Sequence, residues 1–259
     1  MKICVLIKQV PDKNSPLSIA DDQISISETN ITWVSNESDN YALEEALIIK
    51  EAHGGEVVAC TLGKESAGQV LKDAMAKGAD RSIFISDPKF DSLDILSLDK
   101  IIASALKEEN FDLILSGLQS DDPGNSQLGL LIAELLNMSH ATLVMGTEIL
   151  SDSTIKVKRE LESGWFQWTE LTLPASISIQ SGINTPRYAT LKGIMMVKKK
   201  TVDKITSNEI SNEDWTPRAS LNKIYIPEKA KETTYLDGSP DEISEKLVDI
   251  FKNEIKVLN

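Results

Sequence analysis

From residue 1 to about residue 137, short apolar runs alternate with amphipathic ones, the pattern of repeated βαβ units that feed a parallel sheet. A first strand is expected over residues 2–10, ended by Pro11, which has no N–H to donate. A small hairpin is expected next, with residues 23–27 set against residues 31–34. Asp39 or Asn40 then caps a helix with Leu43, Ala46 and Leu47 on its apolar face. Glu44, Glu45 and Lys50 fall off that face, so the two acids read as a solvated surface, and Gly54-Gly55 stops the helix. The alternation goes on with strands at 56–62, 82–86 and 111–116. Between and after them come helices at 66–77, 92–106 and 128–136, the first of these stopped by Gly78.

Beyond residue 138 the texture changes. Two β-rich runs, 141–150 and 155–161, flank the polar turn Ser151-Asp152-Ser153-Thr154 and predict an antiparallel hairpin. Further strands are expected at 165–171 and 175–180. In the first of these, Phe166 and Trp168 share a face, and packing against the sheet is their expected role. After Pro186 the chain turns polar and irregular as far as residue 238. Ser239-Pro240-Asp241-Glu242 then supplies an N-cap, a proline at the first helical position and a capping-box glutamate. The helix they open is expected to bury Ile243, Leu247, Ile250 and Phe251. A long polar arm ending in an amphipathic helix is unusual for a self-contained domain, and its simplest use is to reach another subunit.

Composition narrows the function. A net charge of −13 argues against duplex nucleic acid or an anionic membrane as the main partner, since both need a basic face. The local basic cluster is Arg187, Lys192 and Lys198 to Lys200. The apolar start at Ile3 to Ile7 is too short to span a bilayer and lacks a signal-peptide cleavage pattern, so a cytoplasmic protein is expected. Cys4 and Cys60 each sit in an apolar strand and read as buried core thiols. His53 and His140 have no ligand-spaced neighbours, and no metal site is expected. No catalytic set is visible, which favours a binding or carrier role over an enzyme.

The most informative local feature is the run Gly117, Leu118, Gln119, Ser120, Asp121, Asp122, Pro123, Gly124, Asn125, Ser126, Gln127, Leu128. It links an apolar strand to a helix, the crossing at which doubly wound sheets bind ligands. Amides at the helix start suit a phosphate. The run is neither a Walker A loop nor a G-x-G-x-x-G fingerprint, and its two aspartates favour one phosphate over three. By itself the feature also fits an ordinary capped loop.

Several stretches together resemble the β (small) subunit family of electron transfer flavoproteins. They are Lys2 to Asp12 (KICVLIKQVPD), Ala42 to Leu47 (ALEEAL), Lys77 to Arg81 (KGADR), Arg159 to Gly164 (RELESG), Leu173-Pro174-Ala175 and Pro186 to Leu191 (PRYATL). The segment Ile224 to Lys229 (IYIPEK) is similar in particular to the bacterial members that serve trimethylamine dehydrogenase. The resemblance implies a doubly wound, mainly parallel α/β fold of the adenine nucleotide α-hydrolase-like kind, with a β-hairpin addition and an extended C-terminal arm. It divides the chain into a nucleotide-binding domain at 1–185, a partner-recognition loop at 186–200 and an arm and helix at 201–259 that meet an α subunit. It further implies an FAD held mainly by that α subunit, and an AMP without redox function in this chain. The AMP contacts fall by position on Leu6, on Asn36, Glu37, Ser38 and Asp39, on Leu62, and on Gly117 to Leu128. Leu191 becomes an anchor for flavin-containing dehydrogenases, with Arg187 and Lys192 beside it, and an electron transfer flavoprotein:quinone oxidoreductase takes the electrons onward. Two alternatives stay open: an electron-bifurcating β subunit with a second FAD in place of AMP, and a free-standing adenine-nucleotide sensor. Asp121-Asp122-Pro123-Gly124 departs from the Asp-Gly-Asp-Thr-like run usual in bifurcating relatives, and Glu37 stands where many relatives have proline.

Overall fold

The strands β1 (Lys2–Leu6), β4 (Glu56–Leu62) and β6 (Leu113–Gly117) are apolar on both faces, as strands covered by helices above and below must be. The computed structural model describes residues 1–210, 214–227 and 233–257 and places these strands at the heart of a nine-stranded sheet. The other members are β5 (Arg81–Ile85), β7 (Ser139–Ser151), β8 (Thr154–Glu160), β9 (Phe166–Thr172), β10 (Ala175–Ile179) and β11 (Val202–Ile205). The order is β11-β5-β4-β1-β6-β10-β7-β8-β9. All pairings from β11 to β7 are parallel, and β8 and β9 add an antiparallel meander at the far edge. One face of the sheet packs α1 (Glu37–His53) and α2 (Gly68–Lys77), and the other packs α3 (Ile95–Leu106) and α4 (Leu128–Leu136). This is the doubly wound architecture expected. The cysteines are both free and buried, and burial holds the Cys4 thiol well above its ordinary range.

Several expected elements differ. The first strand does not run to Val10. It breaks after Leu6, where the Lys8 amide turns away to the Asp39 carboxylate at 2.8 Å. A separate strand β2 (Gln9–Pro11) then pairs antiparallel with β3 (Trp33–Ser35). The hairpin expected over 23–34 is absent because its second half is taken by that pairing. The Asp22 carboxylate accepts from the Ile24 and Ser25 amides and turns the chain there, leaving a lone Ile19–Ile26 bridge. Neither Asp39 nor Asn40 caps α1. The cap position falls on Asn36, which makes no side-chain cap, and Asp39 serves the site described below.

Glu44 and Glu45 are not a solvated face: both are buried. The loop after β10 covers them, and its Arg187 guanidinium clasps Glu44 while Asn184 and Thr147 donate to Glu45. Phe166 and Trp168 lie outside the core, and Trp168 rests on the sheet as expected, its ring 3.8 Å from where a Cβ on Gly146 of β7 would stand. They are 44% and 52% exposed on the edge strand, shielded by Lys158 and Lys156, whose ammonium groups lie 4.0 and 5.0 Å from the ring centroids.

The stretch after Pro186 is more ordered than its polarity suggests. It forms α5 (Leu191–Met196), and then β11 pairs with β5 at the sheet edge. The compact unit runs to Asn222, and residues 223–259 form a second unit. In that unit α6 (Pro240–Asp249) starts with the expected reciprocal capping box between Ser239 and Glu242. Its apolar stripe is not buried as expected, for Leu247 and Phe251 stay exposed. Of the trimethylamine-dehydrogenase-like segment, Glu228 and Lys229 lie outside the described residues. Among the described residues, no helix is long and apolar enough to cross a membrane.

Candidate functional site

β1 has β4 on one side and β6 on the other, so successive connections leave it in opposite directions. At such a switch point the loops after the strands splay apart and open a crevice at the carboxyl edge. The crevice here is lined by Leu6, Ile7 and Lys8 after β1, by Cys60 to Leu62 at the end of β4, and by Gly117 to Ser120 after β6. Ile95, Leu98, Asp99 and Ile102 of α3 and Leu128 of α4 complete its wall.

The start of α1 clamps this crevice together. Asp39 accepts hydrogen bonds from the Lys8 amide at 2.8 Å and the Gly117 amide at 2.9 Å, joining the end of β1 to the end of β6. Burial pushes its carboxyl up to about 6, against the downward pull of those amides. Ser38 Oγ donates to the Gln119 carbonyl at 2.7 Å, and Asn36 both donates to that carbonyl and accepts from the Asp121 amide. The approach leaves no room for a side chain at Gly117, where a Cβ would stand 2.1 Å from Ser38 Oγ and 2.6 Å from the Ser38 carbonyl carbon.

Most of the expected contacts therefore share one wall: Leu6, Asn36, Asp39, Leu62, Gly117, Leu118, Gln119, Ser120, Pro123, Asn125, Ser126, Gln127 and Leu128. Glu37, Ser38, Asp121, Asp122 and Gly124 stand behind it. The Glu37 amide donates to Asp121, and Gly124 turns the loop at φ +62°. Asp122 is neutralised by Lys8, whose Nζ lies 2.7 Å from Oδ2. That pairing offsets the Asp122 charge, while the Asp121 carboxylate has the Glu37 amide as its partner. Lys8 and the α3 wall lie outside the contacts expected from the sequence. The available signal was Asp99, an acid set among Ile95, Leu98 and Ile102 at helical spacing.

The donor set fits a nucleoside monophosphate. At the α4 start, Gln127 makes no side-chain cap; the Leu130 amide donates to the Gln127 carbonyl, which leaves the Leu128 and Gly129 amides to an anion, while the slot between Leu6, Leu62, Ile95, Leu98 and Leu128 is apolar enough for a base.

The second expected surface lies on α5. Thr190 caps the helix by accepting from the Gly193 amide, and Leu191 is 75% exposed beside the exposed Ile194 and Met195. α5 rests on the end of α2, where a Cβ at Gly193 would stand 2.1 Å from the Ala76 carbonyl oxygen. Not all of the basic cluster is free. Arg187 is held by Glu44 and Glu51, and Lys200 Nζ donates to the Met75 and Ala79 carbonyls. Lys192, Lys198 and Lys199 stay exposed.

The family model described as electron transfer flavoprotein domain matches residues 23–210. The chain is 33% identical to the electron transfer flavoprotein subunit beta of Methylophilus methylotrophus, over 99% of each chain. It is 32% identical to the subunit of the same name from Bacillus subtilis, over the whole of both chains. A mitochondrial subunit beta from Oryza sativa subsp. indica is 33% identical, again over the whole of both.

Proposed function

The chain belongs to the electron transfer flavoprotein family, and on that premise we propose that it is the β subunit of a cytoplasmic heterodimer that carries electrons without catalytic turnover of its own. The α subunit holds most of an FAD, which supplies the electron-carrying chemistry when bound. Donors are flavin-containing dehydrogenases, and the acceptor is an electron transfer flavoprotein:quinone oxidoreductase.

This chain has two tasks of its own. The first is to hold an AMP in the crevice, with the phosphate at the amides of Asn125, Ser126 and Gln127 and the base in the apolar slot. The bound nucleotide ties α1, β1, β6 and α4 together. A ligand bound only to the folded state at about 100 times its dissociation constant adds roughly 2.7 kcal/mol of stability. The second task is to dock the dehydrogenase through Leu191 and the exposed side chains around it, with Lys192, Lys198 and Lys199 steering acidic surfaces.

The single observation that carries the reading is the full-length similarity to β subunits, together with a crevice at the sheet switch point whose wall coincides with the expected nucleotide contacts. Coexpression with the neighbouring α-subunit gene, then acid extraction and chromatography, tests it. One AMP and one FAD per heterodimer are expected, without ATP. Two FAD and no AMP, or a colourless homodimer, would reject it.

A further inference from the structure

Asp99 is 3% exposed, lines the crevice, and its Oδ2 has no hydrogen-bond partner among the described residues. Its neighbours on α3 are Ile95, Leu98 and Ile102, which form the apolar wall against which a planar ring would lie. A buried carboxyl without a partner is a cost to the fold that an apolar residue would not carry. It is explained if a ligand supplies the partner.

We propose that Asp99 is the residue that reads the base of the nucleotide in this crevice, one carboxyl oxygen accepting from the N6 amino group of adenine and the other donating to the adjacent ring nitrogen. This rests on the crevice being a nucleotide site and extends it to base selection. A neutral carboxyl presents one donor beside one acceptor, which complements the N6–H and N7 pair on adenine. On the same edge guanine shows two acceptors, O6 and N7, and leaves the accepting oxygen unpaired. Burial, with no cation as a cause, pushes the Asp99 carboxyl up to about 7, so the neutral form is accessible near neutral pH. An ionised carboxylate would instead suit two donors, the N1–H and N2–H pair of guanine.

The test uses the full chain in its heterodimer, stripped of nucleotide and titrated calorimetrically with AMP, GMP and ribose 5-phosphate. Wild type is expected to prefer AMP over GMP by about tenfold or more. Asp99→Asn keeps a donor and an acceptor and should keep that preference. Asp99→Ala should weaken AMP by about tenfold, leave ribose 5-phosphate unchanged and lose the preference. Neither substitution should lower the melting temperature of the nucleotide-free protein, since each removes an unpaired buried carboxyl. An unchanged AMP-to-GMP ratio in Asp99→Ala, a wild-type preference for GMP, or equal weakening of AMP and ribose 5-phosphate would overturn the assignment while leaving the nucleotide site standing. A wild type that binds neither AMP nor ribose 5-phosphate would remove the site itself and the assignment with it.

Discussion

Arg187→Ala should be among the most damaging single substitutions outside the core. Arg187 Nε and Nη2 reach both carboxylate oxygens of Glu44 at 2.9–3.1 Å, and the Arg187 amide donates to the same carboxylate at 3.0 Å. The Glu44 side chain is 8% exposed, whereas that of Glu51, the second partner, is 60% exposed. Truncating the arginine leaves a buried carboxylate with one amide for company. Breaking such a pair costs about 3–5 kcal/mol, and the partly exposed guanidinium argues for the lower end. At about 2–4 °C per kcal/mol for a domain of this size, the melting temperature should fall by roughly 6–12 °C. Glu51→Ala removes the exposed partner alone and should cost about 1 kcal/mol or less. Arg187→Lys should lie between the two, because an ammonium cannot span both oxygens. Adding Glu44→Gln to Arg187→Ala should recover part of the loss by removing the stranded charge. Thermal melts followed by circular dichroism decide the matter. Arg187→Ala melting within about 2 °C of Glu51→Ala would refute the argument and show that Glu44 reaches water by itself.

The remaining predictions concern α5 and the crevice. Leu191→Ala should cost about 2 kcal/mol or more of dehydrogenase binding, read as a raised apparent KM for the flavoprotein, with the melting temperature nearly unchanged. A large melting loss with unaltered kinetics would mean that another surface docks. Asp99 has a folded pKa of about 7 against an ordinary 3.8, so the folded chain holds its proton more tightly. Its contribution to stability is full at about pH 4 and below and is lost as pH rises towards about 7. Nucleotide-free Asp99→Asn should therefore gain stability over wild type at about pH 8 and none from this source at about pH 4. Equal differences at the two pH values would contradict this. Gly117→Ala forces the start of α1 off the end of β6 and should cost about 1–3 kcal/mol. It should also lower the AMP recovered on extraction, and full recovery with an unchanged melt would show that the clamp gives way freely.

The sequence was most legible where the determinants are local. β4 and α4 have the expected bounds, the Ser151 to Thr154 turn joins the expected antiparallel pair, and the Ser239 capping box forms. It failed where a distant segment decides the environment. Glu44 lies off the apolar stripe of its own helix, yet a residue 143 positions later buries it. β10 follows β9 in the chain but inserts between β6 and β7, a pairing no local pattern encodes. β11 is four residues long, too short to stand out from a polar run. In the crevice, the Gly117 to Gln127 loop was readable as a strand-to-helix crossing. The α3 wall was not, because an apolar helix face reads the same whether it meets a core or a ligand.

The segment that carries Leu191 is fastened at both ends to one scaffold. Arg187 ties its start to α1, and Lys200 with the pairing of β11 ties its end to α2 and β5. Between these fastenings, Tyr188, Leu191, Lys192, Ile194 and Met195 face outward. Such a span behaves as an exchangeable cassette: its outward side chains can be replaced wholesale while the frame that holds its ends is untouched. On the docking role proposed for this segment, choice of electron donor and stability of the fold are free to drift separately, and transplanting residues 188–199 between related chains should move one without the other.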